Sequence, residues 1–524
     1  MKQKPGFPPF PEEYRASGLL LHVTSLPSDY GIGDLGPCAY SWVDRLHEAG
    51  QQWWQALPLG PTGYGNSPYQ PLSSFAGNEL LLSPDALIAD KLLDAADCKS
   101  HFGSGPVDYD SVVPFKERLL ERAWANFGPR RKDLHVAFEE FCAQHASWLE
   151  DYVLFRALRG RYRGASYLDW PTPLVQRDRA ALDEARQELA KQMDQVRLAQ
   201  FLVFRQAEKL KEYAHSKGVR LIGDLAFFAS PDSSDVWANP ELFLLDESRR
   251  PLFVAGVPPD YFSAEGQLWG NPVYNWDAMR STGYRWCIDR FRSLLLHVDL
   301  IRLDHFRGFV ATWHIPAGAP TAQSGKWIAG PGASFFHAVE ASLGGLLFLA
   351  EDLGLITQEV EALRDTFHVP GTCVLQFAFD GHEDNPHLPH NYVDNTVVYT
   401  GTHDNATTRE WYEKLPDAQR QNLWRSLNRA AGETAEVAFA LMGLAWSSVA
   451  ALAIAPLQDL LNLGSDARMN MPGRASGNWR WRCTEGMMSA ANFQPLGDLT
   501  RKTKRLPGKC QPFGTDKPAT GQRG

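Results

Sequence analysis

Short apolar runs recur along the chain, and most of them close on a polar or charged residue. They are GLLLHV (18–23), QWWQALPL (52–59), GVRLIGDLAFF (218–228), HVDLIRLD (297–304), LLFLAED (346–352), TCVLQFAFD (372–380), TVVYTGTHD (396–404) and LAIAPLQD (452–459). Runs this short and this apolar predict strands buried on both faces. Between them the apolar positions switch to helical spacing, as in AYSWVDRLHEAG (39–50), GYRWCIDRFRSLLLH (283–297), ASFFHAVEASLG (333–344) and TAEVAFALMGLAWSS (434–448). Gly50 and Gly218 stand where such helices stop. Strand and helix alternating in this way predict an α/β fold, a (β/α)8 TIM barrel.

The spacing of the runs is uneven. About 160 residues separate the second from the third and about 70 the third from the fourth. The first gap carries long helical patterns such as FKERLLERAWANF, so it predicts a large, mostly helical insertion at about 75–215. The second holds VAGVPPDYFSAEGQLWGNPVYNW, too long for a connector, and predicts a loop-rich insertion at about 229–285 over the strand ends. Residues 1–485 then form one catalytic barrel with its insertions. Residues 486–524, ending in the basic, aperiodic RKTKRLPGKCQPFGTDKPATGQRG, are expected to be a tail, disordered in part.

Composition narrows the class. A net charge of −9 argues against a phosphate-backbone binder, so no nucleic acid is expected. No apolar run approaches the roughly 20 residues of a membrane span, and the opening MKQKPGFPPFPEEYRASG lacks the apolar stretch of a secretory signal. Seven scattered cysteines without a CxxC pair predict reduced thiols in the cytoplasm and no zinc site. The two histidines of NPHLPHNY (385–392) are too broken by proline to read as metal ligands.

Charge placement carries the chemistry. Strands of such a barrel deliver reactive groups at their C-terminal ends. Four runs place carboxylates there: Asp224, Asp304, Glu351 and Asp404. Several acids without metal ligands suit glycoside cleavage, in which one carboxyl protonates the leaving oxygen and another attacks or stabilises the sugar cation. Arg302 lies two residues before Asp304, so both share a strand face and the guanidinium favours an ionised carboxylate. Glu351 follows LLFLA, an apolar run that favours its protonated form.

With these residues in place, the chain closely resembles 4-α-glucanotransferases of the amylomaltase or disproportionating-enzyme type, glycoside hydrolase family 77. The resemblance rests on GLLLHVTSLPSDYGIGDLG, LPLGPTGYGNSPYQPLSSFAGN, VAGVPPDYFSAEGQLWGNPVYNW, IRLDHFRGF, LAEDLGLIT, VLQFAFDGHEDNPHLPHNY, YTGTHDNATT and PLQDLLNLGSDARMNMPGRASGNWRWR, spanning about 18 to 482. It implies that Asp304 is the nucleophile, Glu351 the general acid/base and Asp404 the acid that holds the sugar hydroxyls in the distorted state. It further implies substrate-binding roles for Ser67, Tyr69, Asp224, Tyr261, Phe262, Trp269, Arg302, Asp380, His403 and Asn478, with Tyr261 and Phe262 in a loop arching over the glucan. It implies no metal and no organic cofactor, maltooligosaccharides and α-1,4-glucans as partners, and a monomer or homodimer. Asn66, where the family commonly has Asp, bears on chain-length preference and not on the three acids.

Hydrolases and transferases of this kind share a covalent glycosyl-aspartate and differ in what attacks it. An acceptor sugar prevails over water only if it is held in attack geometry in a shielded site. The aromatic loop and the helical insertion suit that shielding, so glucan transfer is the expected activity. An α-amylase-like hydrolase and a non-catalytic glucan-binding protein are the alternatives.

Overall fold

The computed structural model describes residues 9–11, 13–259 and 264–506. Among these residues the strands are β1 (Ala16–Leu20), β2 (Trp53–Gln55), β3 (Arg220–Leu225), β4 (Phe253–Val257), β5 (Gln267–Pro272), β6 (Leu300–Leu303), β7 (Ala311–Pro316), β8 (Lys326–Ala329), β9 (Phe348–Ala350), β10 (Gly371–Val374), β11 (Thr396–Tyr399) and β12 (Leu452–Pro456). Eight of them pair in parallel in the order β1-β2-β3-β6-β9 on one side of β1 and β12-β11-β10 on the other. The ends of this sheet meet where Ala350 donates its N–H to the carbonyl of Pro370 at 2.8 Å, so the ladder curls into a TIM barrel.

Each predicted strand run overlaps one barrel strand and extends past its C-terminal end, while β1 and β10 begin two and one residues before their runs. In 218–228, for example, only Arg220–Leu225 pairs. The trimmed residues, among them Asp304, Glu351 and Asp404, are those that turn out of the ladder into the mouth. The barrel wall is dry: Trp53, Trp54, Leu300, Ile301, Phe348, Val397, Val398 and Ile454 are buried. Gly18 on β1 permits a close approach of β2, since a Cβ there would lie 2.3 Å from the carbonyl oxygen of Trp53. The four predicted helices appear as Pro37–Glu48, Arg285–Leu295, Ala333–Leu343 and Val437–Ser447.

The segment between β2 and β3 holds the long helices Tyr109–Arg130, His135–Arg161 and Ala190–Ser216, the last leading directly into β3. The segment between β3 and β6 departs from the loop-rich expectation. Its β4 and β5 pair antiparallel, and β4 also pairs with β7, which pairs with β8, giving a second sheet ordered β5-β4-β7-β8. Half of that sheet comes from beyond β6, so its pairing is nonlocal and leaves no local periodic signal.

The expected tail also needs correction. Ala490–Lys502 is a helix that buries Phe493 and Leu496 in the main core. Arg505, without exposed surface, donates to the carbonyls of Ala16, Trp446 and Ser448 at 2.8, 2.7 and 3.0 Å. The apolar positions 493 and 496 are one helical turn apart, a signal that the charges around them mask. Residues 507–524 lie outside the described residues. Among the described residues no helix is long and apolar enough to cross a membrane.

Candidate active site

The register of β3 on β6 sets Asp224 beside Arg302. Arg302 Nη1 lies 3.0 and 2.8 Å from the two oxygens of Asp224 and 3.1 Å from Asp304 Oδ1. Two residues along a strand share a face, which is why one guanidinium reaches the neighbouring strand and its own strand's end. Tyr69 donates its hydroxyl to Asp224 Oδ2 at 2.7 Å. Asp224, its side chain without exposed surface and its oxygens taken, acts on the cleft here through Arg302 and Tyr69.

Asp304 sits at the last rung of the ladder, its N–H donated to the Leu225 carbonyl at 3.3 Å, with 30% of its side chain exposed. Burial pushes its carboxyl up to about 6; Arg302 opposes that rise, and the charges of Asp224 and Asp404 add to it. The guanidinium favours the ionised form as expected, but burial outweighs it, and the carboxyl still ionises below neutral pH.

Glu351 follows β9, whose Phe348, Leu349 and Ala350 are all buried. Its N–H donates to the Leu303 carbonyl at 3.0 Å, and its Oε2 accepts the N–H of His305 at 2.7 Å. Burial pushes this carboxyl up to about 8, against the pull of Arg302 and with help from the charge of Asp304. Two acids on neighbouring strands therefore differ in protonation at pH 7, one ionised and one carrying a proton.

Asp404 closes the set from the end of β11, with 48% of its side chain exposed. Its Oδ1 accepts from Asn470 Nδ2 at 2.6 Å and lies 3.4 Å from His403 Nε2, while Arg468 donates to its carbonyl at 2.9 Å. Tyr69 stacks on His403, centroids 5.1 Å apart and planes 12° from parallel. One tyrosine thus ties the Asp224–Arg302 pair to the Asp404 end, and the fields of both Asp404 and Glu351's partner Arg302 act on Asp304.

The other sequence-singled residues spread around this centre. Ser67 is a turn residue whose hydroxyl accepts the N–H of Tyr69 at 3.2 Å. Trp269 on β5 meets His305 edge-on at 4.9 Å. Asp380 is exposed and accepts the N–H of His382 at 3.0 Å. Asn478 braces its own loop, accepting from Met471 N–H at 3.0 Å and donating to the carbonyls of Met471 and Arg474. Tyr261 and Phe262 lie outside the described residues. Asn66 takes φ 56°, a left-handed turn that Asn tolerates well. His387 and His390 bond backbone groups, His387 accepting the N–H of Val374 at 3.2 Å and His390 facing the Glu383 carbonyl at 3.1 Å. Among the described residues no group of three or more His, Cys, Asp or Glu could hold a metal ion.

Sequence reasoning missed Asn470, Arg468 and the backbone of His305. Asn470 is the one a reader could have found, as a lone amide between two methionines in a Gly/Pro loop, but nothing local says that this loop meets Asp404.

A family model described as 4-alpha-glucanotransferase matches residues 21–488, nearly the whole described chain. The chain belongs to the 4-alpha-glucanotransferase family. A 4-alpha-glucanotransferase of Thermus thermophilus is 47% identical over 501 residues, covering 94% of this chain and 99% of the relative. A chloroplastic/amyloplastic 4-alpha-glucanotransferase of Solanum tuberosum is 43% identical over 502 residues, 95% of this chain and 86% of the relative. The solved amylomaltase of Streptococcus agalactiae, in complex with acarbose, matches with a TM-score of 0.91 at 36% identity, covering 94% of this chain and all of that one. A 4-α-glucanotransferase activity, the transfer of glucan segments, accordingly goes with this barrel and its acidic mouth.

Proposed function

We propose that this cleft transfers α-1,4-glucan segments between maltooligosaccharides by two successive displacements at one anomeric carbon. Ionised Asp304 attacks C1 of the donor sugar while Glu351 gives its proton to the departing glycosidic oxygen, and the bond from C1 to that oxygen breaks. A glycosyl ester on Asp304 results, with the shortened glucan as leaving alcohol. Glu351, now a carboxylate, takes the proton from the 4-hydroxyl of an acceptor glucan. That oxygen attacks C1 and releases Asp304. Asp404 stabilises the cation-like sugar in the transition state of each step, oriented by Asn470 and His403. Arg302 holds Asp304 in place and Tyr69 links the two ends of the cleft.

The observation that carries this reading is the contrast between Asp304, ion-paired with Arg302 at 3.1 Å, and Glu351, whose apolar surroundings keep its proton at neutral pH. Starch- and glycogen-derived glucans are the natural donors, and Trp269, Asp380 and the 261–262 loop are the proposed flanking contacts. Free cysteines fit a cytoplasmic enzyme, acting as monomer or homodimer. Incubation with maltotriose tests the reading. Longer oligosaccharides together with glucose are expected; shorter sugars alone would mean that water, not a sugar, attacks the intermediate.

A further inference from the structure

His305 follows the proposed nucleophile and is the hinge at which the chain leaves β6. It takes the left-handed conformation, φ 51° and ψ 51°, which side chains other than glycine seldom adopt. Such a conformation beside reacting groups points to a demand that the rest of the fold enforces. The hydrogen bonds around it show what the demand is. The His305 N–H donates to Glu351 Oε2 at 2.7 Å, the Phe306 N–H donates to the Glu351 carbonyl at 2.9 Å, and the His305 carbonyl accepts from Gly308 at 2.9 Å. The kink therefore turns two successive N–H groups away from the β6 ladder and onto the residue that follows β9, clamping it by side chain and backbone together.

The imidazole, by contrast, makes no polar contact that explains its identity. Its Nε2 is buried without a hydrogen-bond partner, and the ring packs edge-on against Trp269 at 4.9 Å and Phe227 at 5.9 Å. Histidine, like Asn and Asp, is enriched in the left-handed region. We infer that His305 is a positioning residue for Glu351, and that it works through its left-handed backbone, which aims the N–H at the carboxyl, and not through its ring. This rests on the reading of Glu351 as the acid/base group.

An N–H donated to a carboxyl favours the ionised form. The other groups that face Glu351 are Arg302 and Asp304 from β6 and its end, Tyr399 from β11 and its own neighbour Asp352. None of these is altered by a change at 305, so loss of the N–H contact should move the alkaline limb of the pH profile upward.

The test is a backbone-graded series on the full chain: His305→Gly, His305→Asn, His305→Ala and His305→Val, with thermal melting as a folding check. Gly and Asn accept the left-handed turn and should keep kcat within about threefold. Val resists it most, and misplacing the acid should cost about 100-fold in kcat with an alkaline limb raised by about one pH unit. Ala should fall between, and serves alone if the Val variant does not fold. The inference is overturned if Gly and Asn lose as much as Val, which would make the ring the working part, or if Val and Ala keep wild-type rates. Glu351→Gln, run beside them, separates the two failures: if it retains activity the acid/base reading itself is wrong.

Discussion

Arg302 Nη1 lies 2.8 Å from Asp224 Oδ2, and neither side chain is more than 6% exposed. A buried pair of this kind is held by its geometry, and removing one partner strands the other charge in a dry site. The same nitrogen touches Asp304, so the pair transmits the register of β3 on β6 to the proposed nucleophile.

Asp224→Ala should therefore destabilise the fold by about 3–5 kcal/mol and lower kcat as Arg302 loses its anchor. Arg302→Lys keeps the charge but places it on a flexible stem, without the rigid planar group that holds Nη1 between the two carboxylates, and should cost about 100-fold in kcat with little change in KM. Chemical denaturation and maltotriose kinetics on the two variants measure both effects.

Asp304→Asn and Glu351→Gln should each remove nearly all transfer and hydrolysis while leaving the circular dichroism unchanged. Their stabilities should rise rather than fall. The folded Glu351 holds its proton up to about 8, whereas in the unfolded chain it ionises near 4.3. The unfolded state therefore binds fewer protons between these values, and stability is lost as pH rises through that window. Glu351→Gln removes the loss, so its stability, read as a higher melting temperature, should exceed the wild type most clearly at pH 8. A variant less stable than wild type at pH 8 would contradict the burial argument.

The proposed reaction needs Asp304 ionised and Glu351 protonated. Their carboxyls are pushed up to about 6 and about 8. The wild-type kcat/KM profile should then be a bell, falling on the acid side near the first value and on the alkaline side near the second. Because the two acids interact, the limbs belong to the pair. Stopped assays on maltotriose across pH 4–10 would read them (roughly the range set by the two limbs).

Asn470 donates to Asp404 Oδ1 at 2.6 Å from a loop far along the chain. Asn470→Ala frees the carboxylate to rotate and should lower kcat by about 10- to 100-fold. Asn470→Asp sets two like charges side by side and should do worse.

Phe493 anchors the last helix on the barrel. Phe493→Ala should cost about 3–5 kcal/mol with kcat intact in the cold, separating the helix's role in stability from the chemistry at the opposite end of the strands.

The sequence determined the barrel and the identity of its acids. Strands buried on both faces are mostly apolar runs, and a charge that ends such a run tends to lie where burial stops, as Asp304, Glu351 and Asp404 do, whereas Asp224 is still inside β3 and buried against Arg302. Local patterning also decided that Glu351 is the group holding a proton, because its apolar neighbours precede it in the chain. What only the tertiary structure decided is who meets whom. The antiparallel sheet, the docking of Ala490–Lys502, the Tyr69 stack on His403 and the reach of Asn470 to Asp404 all join segments tens to hundreds of residues apart. Periodicity is a property of neighbours along the chain, whereas these contacts arise from barrel closure, which brings the ends of separate strands onto one rim. The same closure sets how strongly burial acts at Asp304, where it outweighs a guanidinium two residues away.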